Sequence, residues 1–267
     1  MRISFIGGGT MGEAIIKSLL AKKVTSPEEI IVSDISQPRR EYLTKTYSIK
    51  TLTKNLDTLK NADVVILAIK PQDLDQVLGE LKNKLLAKQL LLSIVAGATL
   101  DSLRTGLGHP YIVRSMPNMS AQIGEGITVW IDTAEVTQKQ RNWAKSILSS
   151  IGDEIHLTAE KYVDMATAIS GCGPAYIFLI IESLTDAGVH IGLPRAMAAR
   201  LAVETTIGAA RTIKETGKHP AELKNMVTSP GGITAEGLLQ LENGGLRSLL
   251  LRAVIAAYEK SKKIAAK

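Results

Sequence analysis

Cysteine is nearly missing from this chain: Cys172 stands alone among 267 residues. That excludes an intrachain disulfide framework and suits a reducing, cytoplasmic compartment. Neither paired cysteines nor grouped histidines supply a metal site. Aromatic residues make up only 4%, and the basic residues are scattered, so the surface of a nucleic-acid binder is lacking. The nearest basic run, Lys260 to Lys263, reads as a solvated helical face. No apolar run approaches the roughly 20 residues of a membrane span. Met1-Arg2 and a short apolar stretch lead straight into glycines, without the longer apolar region and cleavage site of a secretory signal. The expectation is a cytoplasmic enzyme or binding protein with neither nucleic acid nor membrane as partner. What is present is ordinary for a globular chain of one large or two ordinary domains: 45% apolar, 22% charged, and a formal charge of +6 that can steer anionic ligands inward.

Up to residue 158, short β-branched runs alternate with helical stretches. The runs are Ile3–Ile6, Ile30–Ser33, Val64–Ala68, Leu90–Ile94 and Tyr111–Arg114, with two more strands at Ile127–Ile131 and Ile155–Leu157 placed at a sheet edge. Near-continuous apolar strands separated by helices read as a parallel sheet covered on both faces. From about Lys161 the strand signal disappears. Long helical stretches lie between Gly171–Pro174, Gly192–Pro194, His219-Pro220 and Ser229–Gly232. Apolar positions wrap around much of Ala175–Gly188 and Arg195–Thr216, so this half is expected to form a subunit interface. The predicted fold is α/β: a parallel-sheet domain over 1–158 and an all-α dimerisation and substrate-binding domain over 159–267.

Gly7-Gly8-Gly9-Thr10-Met11-Gly12 satisfies G-x-G-x-x-G. Alone the motif is weak, but here it follows an apolar strand and opens the helix predicted over Glu13–Lys22, and the next strand ends at Asp34, about 20 residues on. In that Rossmann context Gly7 permits the tight turn, Gly9 lets backbone approach a pyrophosphate, and Gly12 lets helix and strand pack closely. The helix N-terminus adds positive dipole. Asp34 is the usual carboxylate for an adenosine ribose and favours NAD, because a 2′-phosphate beside it is repelled. Ser33, Ser36, Arg39 and Arg40 argue for NADP. A bland reading of Asp34 is a strand-end turn residue. The nicotinamide belongs outside the carboxyl ends of the strands, where Ala68-Ile69-Lys70-Pro71, Ala96-Gly97 and Met116-Pro117-Asn118 emerge. Turn chemistry alone is the competing account of Lys70-Pro71 and Pro117-Asn118.

Together, Gly7–Gly12, Ala68-Ile69-Lys70-Pro71-Gln72, Ser115-Met116-Pro117-Asn118, Ser170-Gly171-Cys172-Gly173-Pro174-Ala175-Tyr176 and Val227–Thr234 resemble the Δ1-pyrroline-5-carboxylate reductase family over essentially the whole chain. The segment from Pro220 to Glu242, with its SPGG-x-T core and the following Leu241–Arg247, is highly specific to that family. The resemblance implies NAD(P)H-dependent reduction of a cyclic imine to L-proline, on a Rossmann domain joined to a helical dimerisation domain. It also implies homodimers that complete each other's sites and assemble into rings, up to a decamer of dimers. By motif position, Ile6, Gly7, Gly8, Gly9, Thr10, Met11, Asp34, Asn55, Ala68, Ile69, Lys70, Pro71, Ile94, Val95, Ala96 and Gly97 surround the cofactor, NADPH or NADH. Ser229, Gly231, Gly232, Ile233 and Thr234 hold the substrate. Cys172, Met119-Ser120, Met226 and Asp34 depart from the family pattern.

The chemistry asks for a hydride donor, a proton on nitrogen and a hold on a carboxylate. The cofactor supplies the hydride. Ser229–Thr234 precedes a helix predicted over Ala235–Asn243, so glycine-exposed backbone N–H groups at a helix start can capture the carboxylate without arginine or lysine. The alternative is an N-cap loop with Thr234 as the cap. A cyclic iminium is already electrophilic, and Thr234 is the candidate to hydrogen-bond its nitrogen. His109, His156, His190 and His219 read as surface or helix-end residues, and Cys172 as a small packing residue. Two rivals are a β-hydroxyacid dehydrogenase, whose catalytic lysine falls near Ile177, and a non-catalytic NAD(P) sensor, which needs no carboxylate pocket.

Overall fold

A computed structural model describes residues 1–265. Five apolar runs form the strands β1 (Ile3–Ile6), β2 (Ile30–Ser33), β4 (Val64–Leu67), β5 (Leu90–Ser93) and β6 (Ile112–Met116), and β1, β4 and β5 are buried end to end. They pair in parallel in the order β2-β1-β4-β5-β6 within an eight-stranded sheet. Burial on both faces explains why these strands are apolar without alternation. Ile3, Phe5, Val64, Ile66, Leu90 and Leu92 pack on one side with Ile15, Ile16 and Leu19 of helix α1 (Thr10–Ala21). Val65, Leu67 and Leu91 face the other side, against Val77, Leu78 and Leu81 of α3 (Leu74–Leu81) and Leu103 and Leu107 of α4 (Leu100–Leu107).

The outer strands are less regular. The strand β3 (Lys50–Leu52), not anticipated from the sequence, extends the β2 edge; its three residues are exposed or half-buried, so no apolar run announces it. It follows α2 (Gln37–Tyr47), which ends at Ser48 in the left-handed region (φ 57°). At the opposite edge β7 (Gly126–Asp132) runs antiparallel to β6, and β8 (Gly152–His156) pairs with β7 after α5 (Gln138–Ser150). These are the two expected edge strands. His109 departs from the expected surface or helix-end position. His109 is buried, with Nε2 2.8 Å from the Gln89 carbonyl, and burial pushes its pKa below the usual range despite that hydrogen bond. His190 and His219 do stand at helix ends. His156 stacks on Trp130, with ring centroids 4.0 Å apart.

Two compact units divide the chain at Cys172 rather than at 158, and the first unit regains the chain from Ala257 onward. The shift has a local cause. In α6 (Lys161–Ala166) Val163 is 1% exposed, and Asp164 bonds both Arg114 of β6 and Ser261. The second unit holds α7 (Gly173–His190), α8 (Arg195–Thr216), α9 (Pro220–Met226), α10 (Ile233–Asn243) and the start of α11 (Leu246–Ala265). Helices α7 and α8 approach closely: a Cβ on Gly188 would stand 2.8 Å from that of Ala198. The glycines expected to break the chain at Gly171–Pro174 do not do so. A π-turn over Thr167–Gly171 joins α6 to α7, and the resulting stretch Lys161–His190 is long and apolar enough to cross a membrane by length and composition. This corrects the expectation that no such run exists; only 6% of the qualifying window is buried within the protomer.

Candidate active site

β1 ends at Ile6, and the chain turns through Gly7 at φ 96°, with its N–H donated to the Ser33 carbonyl at 2.8 Å. A Cβ on Gly7 would lie 2.5 Å from the Ala68 carbonyl oxygen, and one on Gly12 would lie 2.9 Å from the Gly7 carbonyl oxygen. These two glycines are therefore required by the protein itself. Gly9 differs: among the described residues nothing beyond its chain neighbours lies within 4 Å of its absent Cβ. It caps α1 from the extended region, and helix geometry leaves the first-turn amides of α1 without intrahelical partners. The open face of Gly9 and those amides together form a cradle that fits a pyrophosphate.

Asp34 follows the last residue of β2. Its Oδ2 accepts the Gly8 amide at 2.9 Å and its Oδ1 the Ser36 amide at 2.8 Å, so the carboxylate is fixed against the glycine turn. Both loop arginines are engaged. Arg40 donates to the carbonyls of Asp34 (2.7 Å) and Ile35 (3.1 Å). Arg39 donates to the carbonyls of Gly8 and Gly9 and pairs with Glu13. Burial works against ionisation of Glu13, but hydrogen bonds from Arg39, Tyr47 and Tyr42 outweigh it and hold the carboxyl below its usual range. This cluster escaped the sequence reading, because Glu13, Arg39, Tyr42 and Tyr47 converge only once α1 and α2 lie side by side.

The other expected cofactor residues emerge at the carboxyl ends of the strands. Ala68 and Ile69 are half-buried behind Gly7, while Lys70 and Pro71 are exposed, with Lys70 capping a short 3₁₀ turn at Pro71–Asp73. Thr10 is exposed and Met11 half-buried in the first turn of α1. Ile94 donates to the Leu67 carbonyl (3.1 Å), Val95 to Ser93 Oγ (3.2 Å), and Ala98 back to the Val95 carbonyl (3.3 Å), with Gly97 at φ 81°. A cavity of about 190 Å³ opens beside Val95–Gly97. Asn55 accepts from Ser33 Oγ (2.8 Å) and donates to Glu80 (2.7 Å), so both polar ends of its side chain serve the fold. Pro117 and Asn118 are buried, and Asn118 Oδ1 accepts the Ile127 amide of β7 (3.2 Å).

In the second unit, the Gly232 amide bonds the Ser229 carbonyl at 3.0 Å, and Gly231 sits at φ 65°. α10 begins at Ile233, two residues before the sequence suggests, with Gly232 as its N-cap. Thr234 is therefore an exposed residue of the first helical turn rather than the cap. The amides of Ile233, Thr234 and Ala235 lie in that turn, where helix geometry leaves N–H groups unpaired and the dipole favours an anion. Ile233 is 95% exposed, so the turn presents itself outward. Met226, 66% exposed, offers only its thioether, 3.8 Å from Lys218 Nζ.

A glycine turn with an acidic residue at the end of the next strand, on a doubly covered, mostly parallel sheet, defines a dinucleotide-binding Rossmann domain. Residues 160–264 match the family model described as pyrroline-5-carboxylate reductase dimerisation, and residues 2–97 match that of NADP oxidoreductase, coenzyme F420-dependent. The chain is 43% identical to the pyrroline-5-carboxylate reductase of Synechocystis over 267 residues, covering 100% of this chain and 99% of that protein. The solved pyrroline-5-carboxylate reductase of Coxiella burnetii superposes with a TM-score of 0.91 at 36% identity, covering 99% of this chain and 98% of that one. The Plasmodium falciparum pyrroline carboxylate reductase with NADP bound gives 0.90 at 33% identity, with the same coverage. This chain belongs to the pyrroline-5-carboxylate reductase family.

Proposed function

We propose that the chain reduces Δ1-pyrroline-5-carboxylate to L-proline with NAD(P)H, the last step of proline biosynthesis, as a cytoplasmic homodimer whose dimers can associate into rings. Residues 1–158 bind the dinucleotide, and 159–267 serve dimerisation and substrate binding, although α6 and the end of α11 belong to the first compact unit. What carries this reading is the length of the match: relatives bearing that name align over the whole chain, the glycine turn and Ser229–Thr234 included. The second unit exposes Phe178, Leu179, Leu201, Leu251 and Ile255, an apolar surface that a partner copy would cover. That surface also accounts for the apolar length of Lys161–His190.

Bound NAD(P)H supplies the hydride. The Gly7–Met11 turn holds its phosphates on backbone N–H groups, Asp34 takes the ribose, and Ala68–Pro71, Ile94–Gly97, Asn55, Pro117 and Asn118 wall the site. The N–H groups of Ser229–Thr234 hold the substrate carboxylate, and Thr234 Oγ1 hydrogen-bonds the imine nitrogen. A protonated iminium needs no strong acid, so most of the rate comes from orientation. Thr234→Ala is accordingly expected to lower kcat by about 10- to 100-fold with residual turnover. Complete loss would assign Thr234 direct proton donation.

Asp34 is held against the turn and Arg40 is spent on its own loop's carbonyls, so NADH is expected to give the higher kcat/KM. The test is cofactor absorbance on addition of Δ1-pyrroline-5-carboxylate, run with each cofactor. A flat trace with both, from folded protein, would overturn the function. Asp34→Ser removes the negative charge at this position and is expected to shift the NADPH/NADH ratio upward by about tenfold, or roughly 1.4 kcal/mol.

A further inference from the structure

We infer that Glu160 is a positioning residue for the cofactor loop Ile94–Gly97, which it holds through the Leu100 amide and the buried guanidinium of Arg114. The inference rests on the proposed reading that this loop flanks the nicotinamide. Arg114 interrupts an apolar strand, and its side chain is 4% exposed. A cation so placed must be paired. Two carboxylates meet it: Glu160 at 2.7 Å and Asp164 at 2.9 Å. Charge balance needs only one. Asp164 is the more deeply set of the two and is steadied by Ser261 Oγ at 3.2 Å, so it suffices for that purpose.

Glu160 does something Asp164 does not. Its Oε1 also accepts the amide of Leu100, the first residue of α4, at 2.8 Å. Thr99 Oγ1 caps the same helix start at Ser102 (3.1 Å), leaving the Leu100 amide to a residue 60 positions away in sequence. A carboxylate there also meets the positive end of the α4 dipole. Leu100 stands three residues after Gly97, so Glu160 fixes the outgoing end of the loop while β5 fixes the incoming end. Gly97 is backed by Ile264, whose Cγ2 lies 2.6 Å from where a Cβ on Gly97 would stand. The loop is thus clamped between the sheet, α4 and the end of α11 within one compact unit.

The test separates the two halves of the ligand. Calorimetry on the full-length protein measures the affinity of the intact dinucleotide and of ADP-ribose, which lacks the nicotinamide. Glu160→Ala is expected to weaken the intact dinucleotide by about tenfold while leaving ADP-ribose within about twofold, and Glu160→Gln to restore most of the loss. Equal weakening of both ligands, no weakening, or a glutamine variant no better than alanine would overturn the assignment. Should Glu160→Ala fail to fold, Glu160→Asp, which keeps a carboxylate near Arg114 but is one methylene shorter toward the Leu100 amide, decides by the same criterion: selective loss supports the clamp, and parallel or absent loss overturns it. Because the readout is binding, a wild type that binds the dinucleotide and leaves the imine unreduced would sink the proposed function without touching this result.

Discussion

Gly9→Ala is expected to weaken dinucleotide binding by about 100-fold while leaving Tm unchanged, whereas Gly7→Ala is expected to lower both. The two glycines stand two residues apart in one turn and answer to different constraints. At Gly7 the backbone lies at φ 96° and a methyl group would meet the Ala68 carbonyl oxygen at 2.5 Å. The strained backbone costs about 1–2 kcal/mol before the collision is counted. At Gly9 the backbone is extended and among the described residues nothing obstructs a Cβ beyond the chain neighbours, so the folded protein tolerates alanine. What the methyl group would occupy is the approach to the helix-start amides, where a pyrophosphate must come within hydrogen-bonding distance. Titration of NADH or NADPH alongside thermal melting distinguishes the two cases. Equal Tm losses would mean that Gly9 is structural and the cradle lies elsewhere.

Gly231→Asp is expected to lower kcat/KM for the imine by about 100-fold, almost entirely through KM, with Gly231→Asn retaining most activity. Asparagine and aspartate are nearly the same shape, and both tolerate the left-handed region where Gly231 sits at φ 65°. Among the described residues nothing lies within 4 Å of the absent Cβ, so neither side chain meets a steric obstacle. The difference is one negative charge beside a helix start that is proposed to hold a carboxylate. A 100-fold loss corresponds to about 2.7 kcal/mol, the size for like charges at close range once a bound substrate and the proposed partner copy cover the turn. Steady-state kinetics on the two variants checks it. Equal activity would remove the substrate carboxylate from the α10 turn.

Much of the first unit was legible in the residues. Val64–Leu67 and Leu90–Ser93 announce buried parallel strands by being apolar without alternation, and Gly7–Gly12 announces its turn by spacing and context. β3 was not legible, because a half-exposed three-residue strand carries no hydrophobic period. The start of α10 was read two residues late: Ile233 and Thr234 are β-branched and disfavoured in helices, yet an N-cap at Gly232 admits them. The chain divides at Cys172 because Asp164 and Val163 attach α6 to the sheet, contacts that lie far apart in sequence. Arg114 did carry a signal, a charge inside an apolar strand, but its partners could not be named.

Local pattern therefore determined the cofactor class, the sheet and the helical character of the second half. Each rests on spacings within a few residues: the period of two or its absence, the helical period, and glycine where the backbone must turn. Family motifs added the reaction. Tertiary structure alone decided that Asp34 locks onto the Gly8 amide, that Arg39 is paired with Glu13, and that Glu160 reaches both Arg114 and the start of α4. These pairings join groups 26 to 60 residues apart. Their geometry exists only after the sheet has brought the carboxyl ends of its strands together, and no local sequence period records it.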